Sequence, residues 1–207
     1  TLDLKSMIAC HNVARERMVE LIDKYGPTVV DEVTETLIRM SEELFVERLA
    51  EFPEGRWEAR QYMHVHDETY HVNLAMTNKD GYLTFDFTGS SPQARYAINS
   101  TRWATWGGVF APLYAVLCYD LTWNEGLSRR VKLVAPEGSI VASERPAPVS
   151  AMTCATGPIT NMISLNCISK MLASNEEREK DTTGLWNGGM VSIFMYGRNQ
   201  HDQETIG

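Results

Sequence analysis

No run of apolar residues in this sequence approaches the roughly 18 that a membrane span requires. Basic residues are scarce: 19 Lys and Arg stand against 27 Asp and Glu, a formal net charge of −8 and a pI near 5.2. A nucleic-acid or anionic-membrane surface needs clustered Lys and Arg to displace counterions or meet headgroups, so neither is an expected partner. Cysteine is also sparse. Cys10, Cys118, Cys154 and Cys167 form no Cys-x-x-Cys pair, which argues against a zinc ribbon or a redox motif; they read as reduced, buried thiols of a cytoplasmic protein. Gly107-Gly108 and Gly188-Gly189 fit neither a Walker A nor a dinucleotide loop, so a nucleotide would have to sit on another chain. There are no internal repeats and no low-complexity segments.

What is present is an ordinary globular composition over 207 residues, with 43% apolar, 9% aromatic and 22% charged side chains. That length suits one substantial domain or two small ones. Thirteen of the acidic residues fall in the first 60 positions, as expected of solvated helix faces. Leu4, Met7, Ile8, Ala14, Met18, Leu21, Ile22 and Tyr25 recur every three or four residues, the spacing of an amphipathic helix. His11 falls on the same stripe and reads as a core or interface histidine. Gly26-Pro27 ends this helix, and Val29, Val33, Leu37, Met40, Leu44 and Phe45 carry a second one to about Ala50. Residues 1–55 are therefore expected to form a helical hairpin.

The period then changes from 3.6 to 2. Trp57, Ala59, Met63 and Val65 alternate with polar residues over 56–66, and Val72, Leu74, Met76, a Lys79-Asp80-Gly81 turn and Leu83, Phe85, Phe87 read as a strand hairpin. Residues 101–121 are apolar and read as a helix kinked at Pro112 and ended by Asn124-Glu125-Gly126. Short strands are expected over 130–134 and 139–142, a helix from about Ile159 to Ala173, a Gly/Trp loop over 184–189 and a strand over 190–196. Residues 56–207 thus form an α+β segment, a mainly antiparallel sheet with packed helices.

Several groupings could carry chemistry. His64 and His66 are two apart, so on a strand they would share a face and could chelate Zn²⁺, given a third ligand such as Glu58 or His71. Two histidines on a solvated sheet face is the competing reading, and no metal is expected in this segment apart from these weak candidates. Ser90 and Ser91 end a strand without the Gly-x-Ser-x-Gly pattern of a nucleophile elbow, which favours hydroxyls that cap backbone. Cys154 precedes a predicted helix N-terminus, where a thiol can be acidified, but has no base beside it in sequence.

Asp86-Phe87-Thr88-Gly89-Ser90-Ser91-Pro92-Gln93 resembles a motif of the hydantoinase B/oxoprolinase family. The resemblance continues through Ala97-Ile98-Asn99, Asn124-Glu125-Gly126-Leu127, Ala135-Pro136-Glu137-Gly138-Ser139, Arg145-Pro146-Ala147-Pro148-Val149 and Glu204-Thr205-Ile206-Gly207. Members include N-methylhydantoinase B, the C-terminal half of 5-oxoprolinase, and acetone and acetophenone carboxylase subunits. The resemblance implies a part of a large subunit in a cytoplasmic hetero-oligomer, paired with a hydantoinase A-type subunit that binds ATP and Mg²⁺. Its chemistry opens a cyclic amide or carboxylates a ketone at the expense of ATP. The B-type members are longer than this chain, and their metal motif for Zn or Mn lies in an N-terminal portion that would precede Thr1. The matching polar turns imply Ser90, Ser91, Asn99, Glu204 and Thr205 as substrate contacts. A non-catalytic scaffold of the same fold and a stand-alone metalloenzyme using His64 and His66 are the alternatives.

Overall fold

The computed structural model describes residues 2–184, 196–198 and 204–206. Two long helices open the chain, α1 (Leu2–Tyr25) and α2 (Pro27–Ala50), separated by Gly26 at φ +83°, with Pro27 in the first turn of α2. A residue in that left-handed conformation breaks the helix, and proline is well suited to start the next one. The apolar stripe of α1 is present at its expected spacing but faces water: α1 buries no residue. Burial starts only in the second half of α2, at Ser41, Phe45, Arg48 and Leu49.

A four-stranded sheet follows, in the order β1 (Gly55–Val65), β2 (Glu68–Lys79), β3 (Tyr82–Asp86) and β4 (Val131–Val134). The first three strands run antiparallel, and β4 joins β3 in parallel. The fold is α+β with a mainly antiparallel sheet, as the change of period predicts. β1 alternates half-buried and exposed residues as an edge strand does, whereas the inward side of β2 presents Val72, Leu74 and Met76 to the core. α5 (Thr156–Leu172) packs across β1 and β2, and α3 (Arg102–Pro112) packs on α5. Gly108 permits that approach, since a Cβ there would lie 3.1 Å from Thr160 Cγ2.

Four local expectations need correcting. The helix from residue 101 stays α-helical only to Pro112, and Leu113–Leu117 form a π-helical turn, with Cys118 N–H reaching the Leu113 carbonyl. Pro112 lacks the N–H that the regular ladder needs at that point, and the wider turn is the local solution. Asn124 does not end a helix; it caps the short α4 (Glu125–Ser128), accepting from Gly126 N–H while its amide donates to Leu37 O and Ser41 Oγ. Residues 139–142 make isolated bridges rather than a strand. Finally, Cys118 and Cys167 are buried but Cys10 and Cys154 are exposed. Burial pushes the Cys118 thiol up to about 12 and the Cys167 thiol up to about 11, so both stay protonated at neutral pH.

Near the end of the chain, β5 (Tyr196–Arg198) pairs antiparallel with β6 (Glu204–Ile206). Of the loop expected over 184–189 and the strand expected over 190–196, only Gly184 and Tyr196 fall within the described residues.

Candidate functional site

The chemistry-bearing turns meet around the exposed end of the β1–β2 hairpin, and the reason lies in where β3 stops. Its pairing with β2 ends at Ala75–Asp86. Beyond that point the outward N–H groups of His71 and Asn73 would lack partners, and an unpaired buried donor is costly. Ser91 Oγ accepts from His71 N–H at 2.9 Å, and Ser90 Oγ accepts from Asn73 N–H at 3.0 Å. The Ser90 hydroxyl donates back to Phe87 O at 2.8 Å. Ser91 Oγ also lies 3.0 Å from His71 Nδ1, while His71 Nε2 sits 2.9 Å from the Gly89 carbonyl. If Nε2 carries the proton and donates to that carbonyl, Nδ1 is free to accept from the Ser91 hydroxyl. Gly89 is required here on two counts: its φ is +84°, and a Cβ would lie 2.9 Å from Asn73 Nδ2.

Asn99 has no solvent exposure. Its carbonyl accepts from Ala94 N–H at 2.6 Å, and its amide reaches the carbonyls of Ala94, Tyr96 and Pro148, each at 2.9 Å. It thereby ties the loop after β3 to the Arg145–Val149 loop. Two further bonds extend that tie: Ala151 N–H to Ala97 O at 2.8 Å and Thr156 Oγ1 to Ile98 O at 2.7 Å. The result is a fixed wall. Between it, β1 and the first turn of α5 lies a cleft of about 450 Å³, bordered by Tyr62, His64, Ile98, Cys154, Pro158 and Met162 among others. Ligand sites for small molecules are commonly of this size, with apolar walls and few polar groups.

The sequence candidates are distributed unevenly around this cleft. Ser90 and Ser91 spend their hydroxyls on the edge of β2 and Asn99 spends its amide on loop backbone, so that of these motifs it is Ile98 that borders the cleft. His64 borders the cleft, with Nδ1 2.9 Å from Thr69 Oγ1 across the hairpin. His66 does not share its strand face. It lies past the end of β1 at φ +52° and its ring packs against Tyr96 at a tilt of 42°, 5.2 Å between centroids. The chelating pair therefore lacks the common strand geometry on which it depended, and among the described residues no three His, Cys, Asp or Glu side chains come together as a metal site. Cys154 borders the cleft, its Sγ 3.7 Å from Thr153 Oγ1. Glu204 and Thr205 lie on β6, and their side chains are outside the described residues.

Sequence reasoning missed His71 and Asn73 as the partners of the serines. The available signal was their spacing of two on β2, opposite a motif that stops β3 short. At the hairpin tip, Arg95 pairs with Glu68 at 2.7 Å and donates to Tyr96 OH at 2.7 Å. Tyr70 also donates to Glu68, and that bond to a carboxylate, with burial, pushes the phenol up to about 12.

Fold and cleft together define an α+β segment with a cleft walled by loops that Asn99 bonds together. The sequence places it further: residues 1–206 match the Hydantoinase B/oxoprolinase family model, and the chain belongs to that family. It is similar to an uncharacterized protein of Methanocaldococcus jannaschii, 31% identical over 205 residues, covering 99% of this chain and 35% of that protein. It is also similar to the B-type subunit of a putative D-/L-hydantoinase from a Pseudomonas species, 27% identical over 163 residues, covering 72% of this chain and 28% of that protein. The crystal structure of the ATP-dependent caprolactamase of Pseudomonas jessenii shares the fold, with a TM-score of 0.78 at 21% identity over 99% of this chain and 35% of that one. The chain thus spans about a third of the length of these relatives. Among the described residues no helix is long and apolar enough to cross a membrane.

Proposed function

We propose that this chain is the portion of a hydantoinase B-type subunit that shapes the substrate pocket of an ATP-dependent enzyme opening a cyclic amide. The observation that carries the reading is the cleft beside Ile98, whose wall is built from the Ala97-Ile98-Asn99 motif and the segment following the Arg145–Val149 loop. Two of the similar proteins, a hydantoinase and a caprolactamase, are named for cyclic amides, and the second is named as ATP-dependent. A lactam ring is compact and mostly apolar around its single amide group. An apolar cleft with isolated polar groups at its rim matches that shape.

In this reading the chain's own residues orient the ring and exclude water, and they do so indirectly. Asn99 acts as a positioning group, fixing the loop backbone that presents Ile98 to the cleft, while Ser90 and Ser91 fix the edge of β2, whose partner strand β1 borders the cleft. Glu204 and Thr205 are assigned to substrate contact by the motif they match. ATP and Mg²⁺ belong on a hydantoinase A-type partner in a cytoplasmic hetero-oligomer, since no phosphate-binding glycine loop is present in this sequence. The described residues do not fit a divalent metal: His64 is engaged with Thr69 and His66 with Tyr96. A catalytic metal is accordingly assigned to another part of the subunit, and no step is routed through it.

The test fills the cleft from Ala151, one of the residues that border it. In the enzyme assembled from this subunit and a hydantoinase A-type subunit, Ala151→Trp is expected to raise KM for a lactam or hydantoin about tenfold or more, as lost substrate binding does. Assembly and basal ATP hydrolysis should be unchanged. Amide-dependent turnover that is indifferent to the substitution would remove the cleft from the substrate site.

A further inference from the structure

The largest feature left unused by the cleft is the surface of the two opening helices. Fourteen large apolar side chains between Leu2 and Leu44 are each 43% or more exposed. Nine of them lie on α1, and an apolar surface gathered on one helix to that extent marks a contact with another protein surface. On α1 they follow a seam of alternating three- and four-residue steps: Leu4, Met7, His11, Ala14, Met18, Leu21 and Tyr25. That 3.5-residue period is the pattern of a helix that supercoils with another helix.

We propose that α1 pairs antiparallel with α1 of a second copy of this chain. In the offset that sets Leu4 on Leu21, Met7 meets Met18 and His11 meets Ala14, and the two-fold axis repeats each layer. The one polar seam residue thus meets the smallest, leaving room for its Nδ1 to stay on the Met7 carbonyl, 3.0 Å away in the single chain. At the flanks Asp3 of each copy faces Lys24 of the other, and the stem of Arg15 covers Ile8. The parallel arrangement is poorer, because it stacks His11 on His11 and sets Asp3 against Ile8. A second copy is favoured over a strongly charged partner because α1 carries Asp3, Glu16, Glu20 and Asp23 against Lys5, Arg15, Arg17 and Lys24. Those charges cancel, and the order of Asp3 and Lys24 is complementary to itself in the antiparallel sense.

Sedimentation equilibrium of the chain tests the pairing, with twice the 23.4 kDa chain mass expected at micromolar concentration. Met7→Glu/Met18→Glu puts two carboxylates into one layer and should weaken the dimer by about 100-fold or more. The far-ultraviolet spectrum and thermal unfolding of the body should be preserved, because both positions are exposed in the single chain. Asp3→Lys alone and Lys24→Asp alone should each weaken it about two- to fivefold, as exposed ion pairs do, and the two together should restore it. A wild-type chain that stays monomeric at about 100 μM, where even weak pairing would register, overturns the proposal, as does a dimer indifferent to the two glutamates. Failure of the double charge reversal to restore affinity overturns the antiparallel register.

Discussion

α1 and α5 are both expected from sequence to be helices, yet α5 buries eleven of its 17 residues and α1 none of its 24. The difference lies in what separates the apolar positions. In α5 the intervening residues are Thr, Ser, Asn and Cys, whose small polar groups can bond within the helix or to neighbouring loops, as Thr156 and Thr160 do. Only Lys170 carries charge, and its amine reaches out to the Glu58 carbonyl. In α1 eight charged residues interrupt the stripe, so just one narrow face is free of them. Spacing establishes that a helix has a face to bury; the residues between decide how much of its circumference can be enclosed.

The comparison can be broken most sharply with one substitution made twice. Ile163→Ala removes a fully enclosed side chain and should cost about 3 kcal/mol in denaturant unfolding, the usual range for such a cavity. Ile8→Ala, at a site 63% exposed, should cost about 0.5 kcal/mol or less in the monomer. Equal losses would show that α1 is packed in the single chain. Asn99→Ala belongs with the buried region and should cost about 2 kcal/mol, because it strands Ala94 N–H and three carbonyls. It should also raise hydrogen exchange in the Pro148–Ala151 segment, and a variant as protected there as the wild type would show that the cleft wall stands without it.

A smaller effect sharpens where α2 passes from the exposed region into the enclosed one. Arg48 donates to the Leu117 carbonyl and to both carboxylate oxygens of Asp120. That hydrogen-bonded guanidinium holds the Asp120 carboxyl below the usual aspartate range. A carboxylate whose pKa is depressed by folding stabilises the protein above its unfolded pKa, about 3.9, and that contribution fades as the pH falls through the lower folded value. Arg48→Met should therefore cost about 1–2 kcal/mol at pH 7, discounted because Asp120 is partly exposed. The difference from wild type should shrink in acid below pH 4, and a pH-independent difference would assign the loss to packing alone.

The strands β1 to β4, the turn at Asp80-Gly81, the break at Gly26-Pro27 and the α+β class were legible because each rests on neighbours within a few residues. What escaped rests on distant ones. Asn99 finds Pro148 49 positions away, and the serines find β2 residues 17 and 20 positions back. Gly126, read as a helix stop, is there because a Cβ would come within 2.1 Å of the Ile38 carbonyl on α2. The His64 and His66 pairing failed because the hairpin turns one residue earlier than the alternation indicates, and the chain leaves the strand at Val65. The family motifs are legible for a related reason: they are the short stretches where many such long-range requirements fall together.

The two serine hydroxyls on the edge of β2 also have a bearing on solubility. With β3 ending at Asp86, the outer rim of β2 from Tyr70 to Leu74 would be a bare row of donors and acceptors, the kind of template onto which a foreign strand or another unfolded copy can add. Ser90 and Ser91 occupy those positions with side chains, and Ser91 N–H takes the His71 carbonyl. The same motif therefore closes the sheet against edge-to-edge growth, which gives a Ser90→Ala/Ser91→Ala chain a reason to aggregate on refolding.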